Sequence, residues 1–227
     1  MSPAQATFLV ALAAVFVFVV ILVVPLYMRR ARAEMSRADR IKEVATSLGL
    51  SYSSDDPVFP GSMATRYPFE LFSRGHQQVC ENVVSGKLGG RQVTASDFLY
   101  RDGDSPALRM SCAIVEIGGS VPHILIAPAS VATDLPLEHD GTRVPLEWGA
   151  FNARYHLYTP ERDYGPAILD VPLMAWLVDE APHLPLTWEV QRGVVLCRGR
   201  GLAPEAFADL LRATVEFARR VPGAATT

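Results

Sequence analysis

Asn152, Arg154, His156 and Tyr158 recur at every second position near the middle of the chain. An amide, a guanidinium, an imidazole and a phenol on one side of an extended segment can hydrogen-bond a ligand or a partner surface. Between them stand Phe151, Ala153, Tyr155 and Leu157. This alternation predicts a half-buried strand over residues 149–159, apolar on one side and polar on the other. The four polar residues are the candidate ligand-binding set, lining a groove. The competing account is plain solvation, since half-exposed sheets carry polar side chains towards water.

Other chemistry-bearing residues form weaker patterns. Cys80 with His76 suggests a thiol and a base, but a cysteine is more often a small buried apolar residue. The sequence contains no G-x-S-x-G elbow, no S-x-x-K and no C-x-x-C. Five histidines (His76, His123, His139, His156, His183) are scattered singly, and no H-E-x-x-H occurs. No catalytic residue, metal ligand or cofactor is therefore assigned. Gly86-Lys87-Leu88-Gly89-Gly90 lacks the Walker spacing and reads as a hairpin bend. Arg198-Gly199-Arg200-Gly201 is too short for an RNA-binding tract and reads as a turn into the last helix. The carboxylate pairs Asp55-Asp56, Asp102/Asp104 and Asp179-Glu180 fall in turns or at helix ends. The three cysteines are too few and too widely spaced for a disulfide framework.

The strongest signal concerns location. Residues 7–28, TFLVALAAVFVFVVILVVPLYM, carry no charge. As a helix they span roughly 33 Å, enough for a hydrocarbon core of about 30 Å. Residues 1–28 are therefore expected to be an N-terminal tail and a transmembrane helix, with the lipid bilayer as partner through residues 7–28. Pro25 falls near the end of the run, and Tyr27 at interface depth. A cleaved signal peptide fits less well: no Lys or Arg precedes the run, and Arg29, Arg30 and Arg32 follow at once. The positive-inside rule then places the rest of the chain in the cytoplasm, behind a single span of the cell membrane.

Net charge is −3 overall, but residues 29–44 carry +3 and residues 45–227 carry −6. An acidic domain repels phosphate backbones, so no nucleic-acid partner is expected. Residues 29–50 are predicted to form a juxtamembrane amphipathic helix. Met35, Ala38, Ile41, Ala45 and Leu48 recur at helical steps, and Gly49 is the stop. Its arginines serve as topology signals or touch anionic headgroups.

Residues 51–66 are rich in Ser, Asp, Pro and Gly and read as a linker. Residues 67–222 are the expected soluble domain, and 223–227 a disordered tail. Within the domain, strands are predicted at 68–75, 109–117, 123–128 and 149–159, with hairpins over 78–100 and 186–198. Asp170 is a natural N-cap for a helix over 171–181, with Pro172 in its first turn. Phe207, Leu210, Leu211, Thr214, Phe217 and Val221 mark a closing helix. Strands followed by helices argue for an α+β fold, an antiparallel sheet with helices packed on one face.

Three stretches also look familiar. They are NVVSGKLGGRQV (82–93), FNARYHLY (151–158), and AILD with MAWL (167–170 and 174–177). Over residues 69–200 the chain resembles a bacterial family of membrane-associated domains of unknown function. The resemblance implies a membrane-tethered bacterial domain and no catalytic residues. The sequence departs from that pattern at Pro160, Asp170 and Pro172. The expectation is thus a membrane-anchored, single-pass interaction or scaffolding domain facing the cytoplasm, its protein partner unidentified. The alternatives are an enzyme with a dispersed site and a sensor of anionic lipid surfaces.

Overall fold

The computed structural model describes residue 18 and residues 24–55, 61–119, 121–131, 142–160 and 169–221. Two compact units emerge, residues 1–40 and 41–227. Apart from Phe18 and the stretch from Val24, the expected membrane span lies outside the described residues. Among the described residues, no helix is long and apolar enough to cross a membrane.

Helix α1 runs from Val24 to Ser47. In the first unit, Phe18, Val24, Leu26 and Met28 are exposed. In the second unit, Ile41 and Ala45 are fully buried. The helix stops where the sequence requires. Gly49 takes φ +69, a left-handed conformation without penalty for glycine. The Leu50 N–H then returns to the Ala45 carbonyl at 2.9 Å, and the Gly49 N–H to that of Thr46 at 3.1 Å, a Schellman stop.

The domain is built on one antiparallel sheet. Its strands are β1 (Ser51–Asp55), β2 (His76–Leu88), β3 (Arg91–Arg101), β4 (Leu108–Glu116), β5 (Ile124–Pro128), β6 (Thr142–Val144), β7 (Tyr155–Thr159), β8 (Thr187–Gln191) and β9 (Val194–Arg200). The spatial order is β1-β2-β3-β4-β9-β8-β5-β7-β6. A four-stranded meander is thus joined to a second group through the β4–β9 pairing, with Ala113 opposite Cys197. The expected hairpin bend is real. Gly89 and Gly90 both take positive φ (+58 and +84), and Leu88 pairs with Arg91.

Helices cover one face. Helix α4 (Val171–Ala175) is capped by Asp170, whose carboxylate accepts the Leu173 N–H at 2.9 Å; it continues as a π-turn over Trp176–Glu180. Helix α5 (Phe207–Arg220) follows a short 3₁₀ turn at Pro204–Ala206. Val93, Ala95, Ala113, Val115, Trp188, Val190 and Val195 form one cluster with Leu173, Leu177, Phe207, Leu211 and Phe217. Trp188 stacks on Phe217 at 4.9 Å and meets Trp176 edge-on at 5.7 Å. Such pairs add about 1 kcal/mol each beyond their buried area.

Four expectations need correction. The helices are not confined to one face. Phe98, Tyr100, Cys112, Ile114 and Leu196 point the other way and are covered by Met63, Tyr67, Phe69, Leu71 and Phe72. The cover comes from helix α2 (Gly61–Arg66) and a 3₁₀ turn at Glu70–Ser73. A strand apolar on both sides needs cover on both, and this segment provides it. The same segment was expected to be a strand over 68–75. Nor is 51–66 a plain linker, because Ser51–Asp55 pairs with β2 as an edge strand. Its side chains are mostly exposed, so its ladder hydrogen bonds, not buried side chains, hold it.

The fourth correction falls on the candidate strand. Residues Gly149–Arg154 are helix α3, and only Tyr155–Thr159 are strand. Phe151 and Tyr155 lie four apart, are both buried, and bring their rings within 5.6 Å. On this segment the four-residue apolar spacing won over the two-residue alternation.

Candidate functional site

Because α3 gives way to β7 at residue 155, the four candidate residues do not share a face. Asn152 is structural. Its amide donates to the Leu146 carbonyl, and its carbonyl oxygen accepts the Leu146 N–H at 3.1 Å. The side chain thereby closes the turn that enters α3. His156 and Tyr158 do come together on β7, with rings edge-to-face at 6.4 Å and the phenol oxygen 3.5 Å from Nδ1. Burial first, then the nearby Arg143 guanidinium, push the His156 imidazole below its usual range. It is therefore neutral near pH 7.

Arg154 stands apart, at the C-terminus of α3. One guanidinium nitrogen donates to the Val178 carbonyl. Nη2 lies 2.8 Å from His183 Nδ1. The cation sits 5.7 Å from the Tyr155 ring centre. Arg154 opens on a pocket of about 300 Å³ lined also by Ser130, Tyr155, His183, Leu184 and Pro185. Two elements fix its rim. The Ala129 N–H donates to the Arg154 carbonyl at 2.9 Å, and the 182–186 loop is folded tightly by Leu184 N–H to Pro182 O and Leu186 N–H to Leu184 O.

A second concavity, of about 560 Å³, lies between α4, α5 and the β2–β3 turn. Leu88, Trp176, Pro182, Ala213 and Val215 give it apolar walls. Glu180, Asp209, Arg212, Glu216 and Arg219 supply charge. Glu216 is already engaged, pairing with Arg219 at 3.3 Å and with Arg220. Arg219 also donates to the Gly89 carbonyl, tying the hairpin bend to α5. Among the described residues, neither Glu180 nor Asp209 makes an ion pair. The signal for this groove was present in the sequence only as amphipathicity of the last helix, and single-segment reading could not bring α4 and the β2–β3 bend to it.

The thiols are placed for packing. Cys80, Cys112 and Cys197 are free and buried. Burial pushes the Cys112 and Cys197 thiols well up, with the Arg198 guanidinium opposing only in part. Cys80 donates to the Ser96 hydroxyl at 3.1 Å, whereas His76 is exposed. A buried thiol is inert, so the Cys80–His76 pairing has no geometric support. Among the described residues, no group of three or more His, Cys, Asp or Glu is placed to hold a metal ion.

Two polar networks are buried in the sheet. Tyr52 donates to Asn82 at 2.9 Å, and Asn82 and Ser111 donate to opposite oxygens of Asp97 at 3.0 and 2.8 Å. They join β1, β2, β3 and β4. On the opposite face, Glu189 meets His123 Nε2 at 3.0 Å and Arg198 Nη2 at 3.7 Å. Both sets are interior, with Asp97 and Glu189 at most 1% exposed, so neither offers a reacting surface.

No family model matches the chain, and no curated protein matches it. A solved structure does share the fold. It is the crystal structure of the mycobacterial trehalose monomycolate transport factor A, TtfA, 14% identical with a TM-score of 0.60. The alignment covers 84% of this chain and 97% of that one, and at this identity the likeness is one of fold.

Proposed function

We propose that this chain is a membrane-tethered accessory protein whose α+β domain works by docking a protein partner. The groove between α4, α5 and the β2–β3 turn carries the reading. It is open, has apolar walls, and holds two carboxylates, Glu180 and Asp209, without an ion-pair partner among the described residues. Against them stands Arg212, which leaves the unpaired charge of the groove negative. The chemistry that fits is a protein segment with an apolar anchor beside a lysine or arginine.

The tether rests on residues 7–28, without charge and of hydrocarbon length, and on the arginines that follow. Exposed Phe18, Val24, Leu26 and Met28 suit a lipid environment. The fold shared with a trehalose monomycolate transport factor supports a partner from a membrane system that handles lipid. The positive-inside argument puts the domain on the cytoplasmic side.

Site-directed photocrosslinking in membranes tests the reading. A crosslinker at exposed Arg212, which lines the groove and leaves both carboxylates in place, should yield one discrete adduct. The adduct should be absent when the crosslinker sits at exposed Asp102, and lost with Glu180→Lys. An adduct equally strong at both positions, or none at Arg212, refutes docking in the groove. Release of the full chain by carbonate without detergent refutes the tether.

A further inference from the structure

The Arg154 pocket has an unusual charge state for an acidic domain. Among the described residues that line it, none is a carboxylate. Arg154 itself bonds a carbonyl, an imidazole and an aromatic face, and among the described residues no carboxylate neutralises it. Residues 45–227 carry −6. A guanidinium without counter-charge in a shaped hollow, on a chain with carboxylates to spare, is an arrangement that anions fill.

Donor geometry points the same way. Arginine only donates, so His183 Nδ1 must accept from it. That fixes the imidazole as the tautomer with its proton on Nε2, a second donor. The guanidinium has five N–H groups, and two are used in these contacts, leaving three. Ser130, also in the lining, adds a hydroxyl. Pro128, Leu184 and Pro185 add apolar surface to the lining.

We propose that Arg154, His183 and Ser130 form a binding site for a single oxyanion, a phosphate or carboxylate group. The group is either a free anion or the head of an anionic lipid. The site shares no lining residue with the docking groove, although the 176–185 stretch borders both, and its test reads residues that the crosslinking test does not touch.

The test uses the full chain in detergent micelles or nanodiscs. Inorganic phosphate is titrated at constant ionic strength while the His183 ring signals are followed by NMR. A saturable shift is expected in the wild type. It should vanish in Arg154→Gln, weaken several-fold in Ser130→Ala, and survive in part in Arg154→Lys, which keeps the charge but loses the fork. Phosphatidylglycerol nanodiscs compared with phosphatidylcholine ones separate the sources. A shift with phosphatidylglycerol that inorganic phosphate competes away identifies a lipid head; a phosphate shift that phosphatidylglycerol leaves unchanged identifies a free anion. The proposal is overturned if neither probe moves the His183 signals. It is equally overturned if folded Ser130→Ala and Arg154→Gln respond like the wild type. Arg154 also holds the Val178 carbonyl, so Ser130→Ala keeps the test valid should Arg154→Gln fold poorly.

Discussion

Replacing Glu189 by glutamine should destabilise the domain far more than a surface charge change would. Glu189 is 1% exposed, and Arg198, 3.7 Å away, is 7% exposed. At an effective dielectric of about 20, unit charges at that separation attract by about 4 kcal/mol. Glutamine keeps the shape and an acceptor for His123 but leaves the Arg198 guanidinium buried beside a neutral group. One Arg198 nitrogen, Nε, has no hydrogen-bond partner among the described residues. Breaking a buried pair from one side costs about 3–5 kcal/mol. For a domain of this size that lowers Tm by roughly 10 °C. The core tryptophans Trp176 and Trp188 make urea and thermal unfolding readable by fluorescence. Arg198→Met should cost less, because His123 still faces Glu189 at 3.0 Å. The double variant should be no worse than Glu189→Gln alone, so the two losses should not add. A loss below about 1 kcal/mol for Glu189→Gln, or single losses that sum to the double, would refute the argument that this pair is mutually dependent.

Two further outcomes follow from the same packing. Cys112 and Cys197 should resist thiol reagents until the domain unfolds. Their folded pKa values lie above the ordinary 9.0, so the folded state holds these protons longer. Stability from this source is present below pH 9 and falls as pH rises beyond it, and a urea midpoint that stays flat above pH 9 would contradict this. Gly193→Ala should cost more than about 1 kcal/mol in a urea titration, because φ is +74 and a Cβ would lie 2.6 Å from the Gly119 carbonyl oxygen. An unchanged midpoint would show that the 118–119 turn yields freely.

Elements with one dominant periodicity were legible in the sequence. The closing helix, the Asp170 cap, the Gly89-Gly90 bend and the doubly apolar strand at 108–116 all lie where local chemistry puts them. The misreadings came where two signals competed or where side chains carried none. Residues 149–159 satisfy a two-residue alternation and a four-residue apolar spacing together, and only the packing of Phe151 and Tyr155 decides. Ser51–Asp55 has the composition of a turn, yet its backbone completes the edge of β2. Of the candidate site, Arg154 lines a pocket. Its neighbours Ser130 and His183 lie far off in sequence, and nothing local announces their meeting.

The β4–β9 seam has a consequence for biosynthesis. The first four strands leave the ribosome in consecutive order and can zip as a meander, but the inner rim of β4 stays open until Val194–Arg200 has been translated. During that interval Cys112, Ile114 and the rest of β4 present an apolar, unpaired border, the kind of border that invites strands of other nascent chains. Completion of the last hairpin is therefore the event that turns two half-sheets into one and removes that hazard.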